Sequence, residues 1–275
     1  MSLTLEIDSP HTWPSPVRQI LSENRQLFLD FHRRQIELQK LREEDFLDSL
    51  SAKNMFFDTI EEITILLENI LMPYNIAAYH CTRLARYEID CIIEDGLKAL
   101  TSDFINHRLV TALGKGLLPP DSYKYLLSDD VFRKAIQNEF GRRTGSVWFC
   151  SSKNTLKDSG SVYRLFRSWG GEVVYFNHEE NESIGPCLRS IGTPCIVRCS
   201  LPISQAQIFF PAYSQSFISR YISDEIKYPH PPYELDMHMQ RDLTAEEIIE
   251  IVEISSPEFK RLTNYNTWPE SHEIR

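Results

Sequence analysis

The sequence predicts an α+β fold, with a helical region over residues 1–75 followed by an α+β domain over residues 76–275. Apolar residues between positions 17 and 71 recur at helical spacing among charged ones. From residue 146 onward, short apolar runs rich in Val, Ile, Trp and Cys are typical of strands. Between these runs lie short amphipathic segments and glycines, which favour helices joined by tight turns.

The N-terminal region is expected to consist of an arm and two helices. Residues 1–16 carry three prolines and predict an extended arm. The pattern from Val17 to Leu50 predicts one long helix, and Phe56 to Leu71 predicts a second that ends before Pro73. Such apolar stripes usually form the inner face of packed helices, so we expect scaffolding first and a lid or partner-binding arm as alternatives.

The next stretch predicts a strand, a turn and a helix. An apolar run from Ala77 leads into the polar residues 80–83, and an amphipathic segment from Glu88 to Leu97 follows, with Gly96 as the helix stop. Side chains at a strand end can meet a ligand while the backbone stays fixed. We therefore expect the polar residues 80–83 to carry function.

The remaining elements alternate between the two types. The predicted helices are Phe104 to Leu113, Val131 to Phe140, Ser161 to Ser168 and Ile184 to Ser190. The predicted strands are Ser146 to Cys150, Glu172 to Phe176, Pro194 to Leu201 and Glu234 to Gln240. Residues 228–232 predict an extended loop, and Ala245 to Ile254 predicts a helical start that ends as a closing strand.

Charge and hydropathy limit the class of protein. The net charge is −10, which argues against a protein that grips nucleic acid through a basic surface, although a nucleic-acid substrate in a local basic cleft stays open. No apolar run reaches about 18 residues, so no membrane-spanning helix and no membrane partner are expected. The first eight residues lack the features of a signal peptide. These observations predict a cytoplasmic protein.

The six cysteines are expected to be free, mostly buried thiols. The spacing of Cys187, Cys195 and Cys199 does not match the paired cysteines of a structural zinc site. No metal is predicted.

Residues 77–97 resemble the first motif of the ADP-ribosyltransferase superfamily. That motif has a His at a strand end, here His80, and a helix that closes on the sequence Ile93-Glu94-Asp95-Gly96-Leu97. The resemblance implies a split β-sheet whose cleft binds NAD as the substrate, with His80 on a ribose hydroxyl. Thr82 and Arg83 supply donors suited to a ribose or pyrophosphate.

The resemblance also implies an aromatic residue stacked on the nicotinamide ring and a catalytic carboxylate. Aromatic candidates are Trp148, Tyr163 and Tyr175. The catalytic residues expected are His80 and Glu172, which follows Trp169-Gly170-Gly171 at the start of a predicted strand. Glu234 and Asp236 are rivals, because many superfamily members carry the acid on a later strand.

The sequence departs from the Arg-modifying toxins, since it has no Ser-Thr-Ser followed by a Glu-x-Glu turn. It is most similar to the His-Tyr-acidic branch. The resemblance implies an enzyme that transfers ADP-ribose from NAD to RNA, DNA or protein. Proteins of this kind include toxins and anti-phage effectors, so an antitoxin or regulatory protein is a possible partner.

Two other functions stay open. One is a non-catalytic partner-binding protein with a degenerate version of the fold, whose helical first 75 residues bind the partner. The other is an RNA 2′-phosphotransferase, which needs a set of Arg and His residues along the cleft that the sequence does not offer.

Overall fold

The computed structural model describes residues 3–46, 52–129, 132, 143–208, 212–224 and 236–274. The chain divides into two compact units. Unit 1 comprises Met1–Ile76, Pro202–Ser204 and Ile208–Leu235, and unit 2 comprises Ala77–Leu201, Gln205–Gln207 and Asp236–Arg275. Unit 1 therefore joins the predicted N-terminal region to two later segments of the chain.

The described residues contain helices and strands throughout, which confirms the predicted α+β class. The helices are α1 (Ser15–Glu23), α2 (Arg25–Glu44), α3 (Phe57–Leu71), α4 (Arg86–Asp95), α5 (Ser102–Gly114), α6 (Pro120–Ser128), α7 (Ser159–Arg167), α8 (Glu172–Tyr175), α9 (Ile184–Ser190), α10 (Tyr213–Ile222) and α11 (Pro257–Thr263). The strands are β1 (Thr4–Leu5), β2 (Asn75–Leu84), β3 (Val147–Cys150), β4 (Thr193–Pro202), β5 (Gln207–Ile208), β6 (Asp236–Met239) and β7 (Ile248–Glu253). None of these helices is both long and apolar enough to cross a membrane.

Unit 1 is built mainly from α1, α2, α3 and α10. The single helix predicted from residue 17 to residue 50 is wrong, because α1 and α2 are separated at Asn24. The Asn24 side chain donates to the carbonyl of Ile20 at 2.9 Å, and such local bonds compete with helix continuation. Trp13 packs against Phe217 of α10, with ring centroids 4.9 Å apart.

The arm predicted over residues 1–16 is only partly extended. Thr4 and Leu5 pair in parallel with Asn75 and Ile76 at the start of β2. A single 3₁₀ turn then forms over Pro10–Thr12. The indole of Trp13 donates to the Glu6 carbonyl at 2.9 Å, which closes this segment on itself.

The strand order in the sheet is β5-β6-β3-β2-β4-β7, with β1 beside β2. Strand β2 is buried on both faces, as a central strand should be, because both of its side-chain rows meet other elements. The β2–β3, β3–β6 and β4–β7 pairs are antiparallel. The strands predicted within residues 146–150, 194–201 and 236–240 are confirmed, and so is the closing strand at β7.

Two apolar clusters form the core of unit 2. One gathers side chains from α5, α6, α8 and α9 around Trp169. The other gathers α7, α11 and the end of the chain against Tyr79 and Cys81 of β2. The central strand and its two flanking clusters position the polar residues of β2.

The strand predicted over Glu172 to Phe176 is wrong, since this segment is the short helix α8. Gly170 and Gly171 both adopt positive φ values, of 101° and 76°, and turn the chain sharply before it. Val174 and Tyr175 are then buried together beside Trp169. A short apolar run suits a buried helix as well as a strand, and here the preceding turn and the burial decide.

Two described helices, α10 and α11, are absent from the sequence prediction, whereas α6 lies within residues 101–143, a stretch whose sequence predicts helix. The helix predicted over Val131 to Phe140 falls, apart from Phe132, outside the described residues. The loop predicted over residues 228–232 also lies outside them.

Candidate functional site

His80 lies on the central strand β2 and is half-buried. The strand end predicted at residues 80–83 is wrong, because β2 continues to Leu84. Its Nδ1 lies 2.9 Å from the backbone carbonyl oxygen of Trp148 on β3. A carbonyl oxygen only accepts hydrogen bonds, so Nδ1 carries the proton and Nε2 presents a lone pair. Nε2 has no hydrogen-bond partner among the described residues. It is a fixed acceptor for a ligand hydroxyl.

The surroundings of His80 favour the neutral imidazole. Burial lowers its pKa, the bond to Trp148 opposes this, and the positive charge of Arg108 lowers the pKa further. A neutral ring keeps the Nε2 lone pair at physiological pH.

Arg108 on α5 forms a buried ion pair with Glu88 of α4. Its Nε lies 2.6 Å from Glu88 Oε1, and the two side chains are 12% and 8% exposed. The other carboxylate oxygen of Glu88 accepts hydrogen bonds from the Trp169 indole and from the backbone N–H of Ala85, both at 2.7 Å. Every oxygen of this buried carboxylate is therefore in use.

Aromatic rings hold the guanidinium of Arg108 in place. Its central carbon lies 4.9 Å from the centroid of the Trp169 ring and 5.6 Å from that of Phe104. One nitrogen, Nη2, is buried and has no hydrogen-bond partner among the described residues. The buried hydroxyl of Tyr87, on α4, also has none among them. Burial raises the pKa of this phenol, and the charge of Glu88 adds to the increase.

We call His80, Tyr87, Glu88, Arg108 and Trp169 the Arg108 cluster. It holds a hydroxyl acceptor, a buried cation with a spare donor and a neutral phenol. Thr82 is buried two residues beyond His80, so it lies on the same face of β2 as His80. Sequence reasoning identified His80 and Thr82 but missed the Glu88–Arg108 pair. The bond from Ala85 to Glu88 could have been predicted, because a Glu at the third position of a helix often accepts from the residue before the helix. Nothing in the sequence indicates that Glu88 forms an ion pair with Arg108.

Arg83 is predicted to bind the dinucleotide, but its Nε and Nη1 donate hydrogen bonds within the fold. It points to the face of β2 opposite His80. Its guanidinium donates to three backbone carbonyls, those of Ile191 at 2.9 Å, Phe166 at 3.2 Å and Ile274 at 3.4 Å. These bonds tie three segments of unit 2 to the central strand.

The three aromatic candidates for ring stacking lie apart. Trp148 stacks on the ring of His238 at 4.7 Å, on the face of the sheet opposite His80. Tyr163 on α7 donates a hydrogen bond to Glu273. Tyr175 is buried in the Trp169 cluster, and its hydroxyl has no partner among the described residues. Of these three aromatic residues, only Tyr175 packs beside a member of the Arg108 cluster, namely Trp169.

The carboxylates predicted as catalytic also differ in location. Glu172 begins α8 and forms an ion pair with Arg143. Asp236 begins β6, is exposed and lies opposite Cys150, which in turn lies opposite Tyr79. Directly opposed residues share a face, so the register places Asp236 on the face away from His80. Glu234 lies outside the described residues.

The cysteines are all free thiols, and three of them, Cys81, Cys195 and Cys199, are buried. The described residues contain no group of His, Cys, Asp and Glu side chains arranged to hold a metal ion.

The chain matches no protein-family model, and comparison with curated proteins and with solved structures gives no match either.

Proposed function

We propose that the protein is an NAD-dependent ADP-ribosyltransferase that binds the ribose of NAD at His80. The observation that carries the proposal is the bond from His80 Nδ1 to the Trp148 carbonyl. This bond leaves Nε2 as an acceptor in fixed orientation, which suits a ribose hydroxyl donor. The resemblance of residues 77–97 to the first transferase motif supports the same role for the same residue.

In the proposed reaction, the bond between the ribose and nicotinamide breaks and nicotinamide leaves with the bonding electrons. The ribose develops positive charge, which a fixed carboxylate stabilises. An acceptor nucleophile then forms the new bond to the ribose and gives up its proton, which the same carboxylate can take.

Three carboxylates compete for this role. Glu172 is three residues after Trp169. The Trp169 ring contacts the guanidinium of Arg108, and the charge of Arg108 acts on His80. The ion pair between Glu172 and Arg143 argues against this role. Asp236 lies on a strand two places from β2 in the sheet, consistent with an acid on a later strand. Glu234 is the third candidate. Variants of all three residues are expected to identify the catalytic acid.

The acceptor in this proposal is RNA, DNA or protein, and the setting is a cytoplasmic toxin or anti-phage effector with an antitoxin or regulatory protein as partner. These parts rest on the family resemblance alone.

The experiment is NAD binding by calorimetry together with nicotinamide release, on the unaltered protein and on His80→Ala. We expect micromolar binding that His80→Ala weakens at least about tenfold, the effect of losing one well-placed hydrogen bond in a site. His11→Ala, at an exposed position, is the matched control and keeps the affinity. Glu172→Gln, Asp236→Asn and Glu234→Gln are then compared, and the catalytic acid is the one whose loss abolishes nicotinamide release without abolishing binding.

A folded protein that binds no NAD at millimolar concentration would overturn the proposal. The function left is then the non-catalytic partner-binding protein, which a separate observation favours. On α3, Phe57, Ile65 and Leu66 are 53%, 56% and 48% exposed, and the helix carries acidic but no basic residues. Binding of a synthetic basic amphipathic helix, lost in Leu66→Glu, tests that function.

A further inference from the structure

We propose that Arg108 and Tyr87 form a subsite that binds a phosphate group of the ligand. Both residues lie in unit 2, and the assignment rests on buried hydrogen-bonding groups that have no partners among the described residues.

The first argument is the fixed position of the Arg108 guanidinium. Glu88 holds its Nε at 2.6 Å, and the rings of Trp169 and Phe104 lie against the plane. A guanidinium held this way loses little further freedom when it binds a ligand. Its Nη2 is the donor left for a ligand to use.

The second argument is the energetic cost of the arrangement. A buried polar group without a partner is energetically costly, so each one calls for an explanation. The Tyr87 hydroxyl and Arg108 Nη2 are two such atoms. Tyr87 directly precedes Glu88, the ion-pair partner of Arg108. The Tyr87 ring packs against the apolar cluster that contains Trp169, whose ring the guanidinium of Arg108 contacts, so the two groups lie in the same region of unit 2.

The third argument identifies the chemistry of the ligand. A guanidinium nitrogen and a protonated phenol both offer hydrogens, and phosphate oxygens accept them. The charges of Arg108 and Glu88 cancel, but the ammonium of Lys115 lies 5.0 Å from the centroid of the Tyr87 ring. Lys115 has no ion-pair partner among the described residues. The subsite therefore carries a net positive charge beside its two spare donors.

The subsite also lies within electrostatic range of His80, since the charge of Arg108 lowers the pKa of that imidazole. If the proposed function holds, the bound group is the pyrophosphate of NAD, and Arg108 takes the role predicted for Arg83.

The test compares Tyr87→Phe and Arg108→Lys with the unaltered protein, titrated by calorimetry with inorganic pyrophosphate and separately with NAD. Tyr87→Phe removes one hydrogen bond to the ligand, so we expect about three- to tenfold weaker binding of pyrophosphate. Arg108→Lys retains the charge beside Glu88 but loses the planar fork, and we expect a loss of about tenfold or more.

Tyr87→Phe also separates a binding role from a structural one. Removing a buried hydroxyl without a partner leaves the thermal midpoint unchanged or raises it, whereas losing a structural bond lowers it. Ser216→Ala is the matched control, since that buried hydroxyl on α10 also lacks a partner among the described residues. We expect this control to leave both affinities unchanged.

Unchanged pyrophosphate affinity in both variants, or no pyrophosphate binding by the unaltered protein, would overturn the subsite. This failure differs from failure of the proposed function. NAD binding that depends on His80 but not on Arg108 or Tyr87 would retain the transferase and remove the subsite. Pyrophosphate binding that depends on Arg108 and Tyr87, without NAD binding, would retain the subsite and remove the transferase.

Discussion

Two buried arginines lie near the central strand of unit 2, and the fold uses them differently. The guanidinium of Arg83 donates hydrogen bonds to three backbone carbonyls from distant segments. Arg108 pairs with Glu88, stacks on Trp169 and retains one buried nitrogen without a partner among the described residues. A buried cation bonded to backbone carbonyls of distant segments supports the structure, whereas one that keeps a buried nitrogen without a partner is suited to a ligand. Arg83 is therefore expected to determine stability, and Arg108 recognition.

Arg83→Met should give the largest effect on stability. It removes the donors of three carbonyls in a buried region, so we expect the free energy of unfolding to fall by about 3–5 kcal/mol. Urea denaturation followed by circular dichroism measures this change. Arg86→Met is the control, because that side chain is 71% exposed, and we expect a change within about 0.5 kcal/mol. Loss of NAD affinity in Arg83→Met with unchanged stability would reverse the roles of the two arginines.

Glu88→Gln should give the next largest effect. The substitution preserves the shape but removes the negative charge, which leaves Arg108 buried without a counter-ion. We expect a loss of about 2–3 kcal/mol in the free energy of unfolding. Asp90→Asn, in an exposed pair with Arg86, should change it by less than about 0.5 kcal/mol. Equal effects of the two substitutions would show that burial of the Glu88–Arg108 pair has no energetic consequence.

The smallest expected effect is on titration: Arg108→Met, which also leaves Glu88 buried without its counter-ion, should raise the pKa of His80. The positive charge of Arg108 disfavours the imidazolium, so its removal makes protonation easier. Ligand binding needs neutral His80, so affinity in the unaltered protein should persist below pH 6.5 and fall as the pH passes through the lowered pKa. In Arg108→Met the fall begins at higher pH. NMR titration of the His80 ring measures the shift, and Arg86→Met should leave it unchanged.

The burial of His80 also makes the stability of the protein depend on pH. Because the folded pKa of His80 is below the unfolded value of 6.5, the unfolded chain binds more protons as the pH falls from that value. The contribution of His80 to stability is therefore complete above about pH 6.5 and decreases below it.

Local signals determined much of the fold from the sequence. The apolar run after Ala77 predicted β2, and the spacing after Glu88 predicted α4 and its end at Gly96. Gly96 adopts φ of 79°, and a Cβ there would lie 1.9 Å from the carbonyl oxygen of Leu243. The strand run and the glycine are encoded within a few neighbouring residues, so the sequence alone revealed them.

Tertiary structure decided what the local sequence left ambiguous. The run Glu172 to Phe176 reads equally as strand or buried helix, and its packing beside Trp169 makes it helix. Arg83 and Arg108 have the same side chain, but their uses depend on partners as distant as Ile191 and Ile274. The sequence by itself determined the α+β class and the central strand, but it placed His80 at the strand end, whereas β2 continues to Leu84. Only the folded chain decided which arginine keeps a buried nitrogen without a partner among the described residues, because hydrogen-bond partners separated by many residues are set by three-dimensional packing.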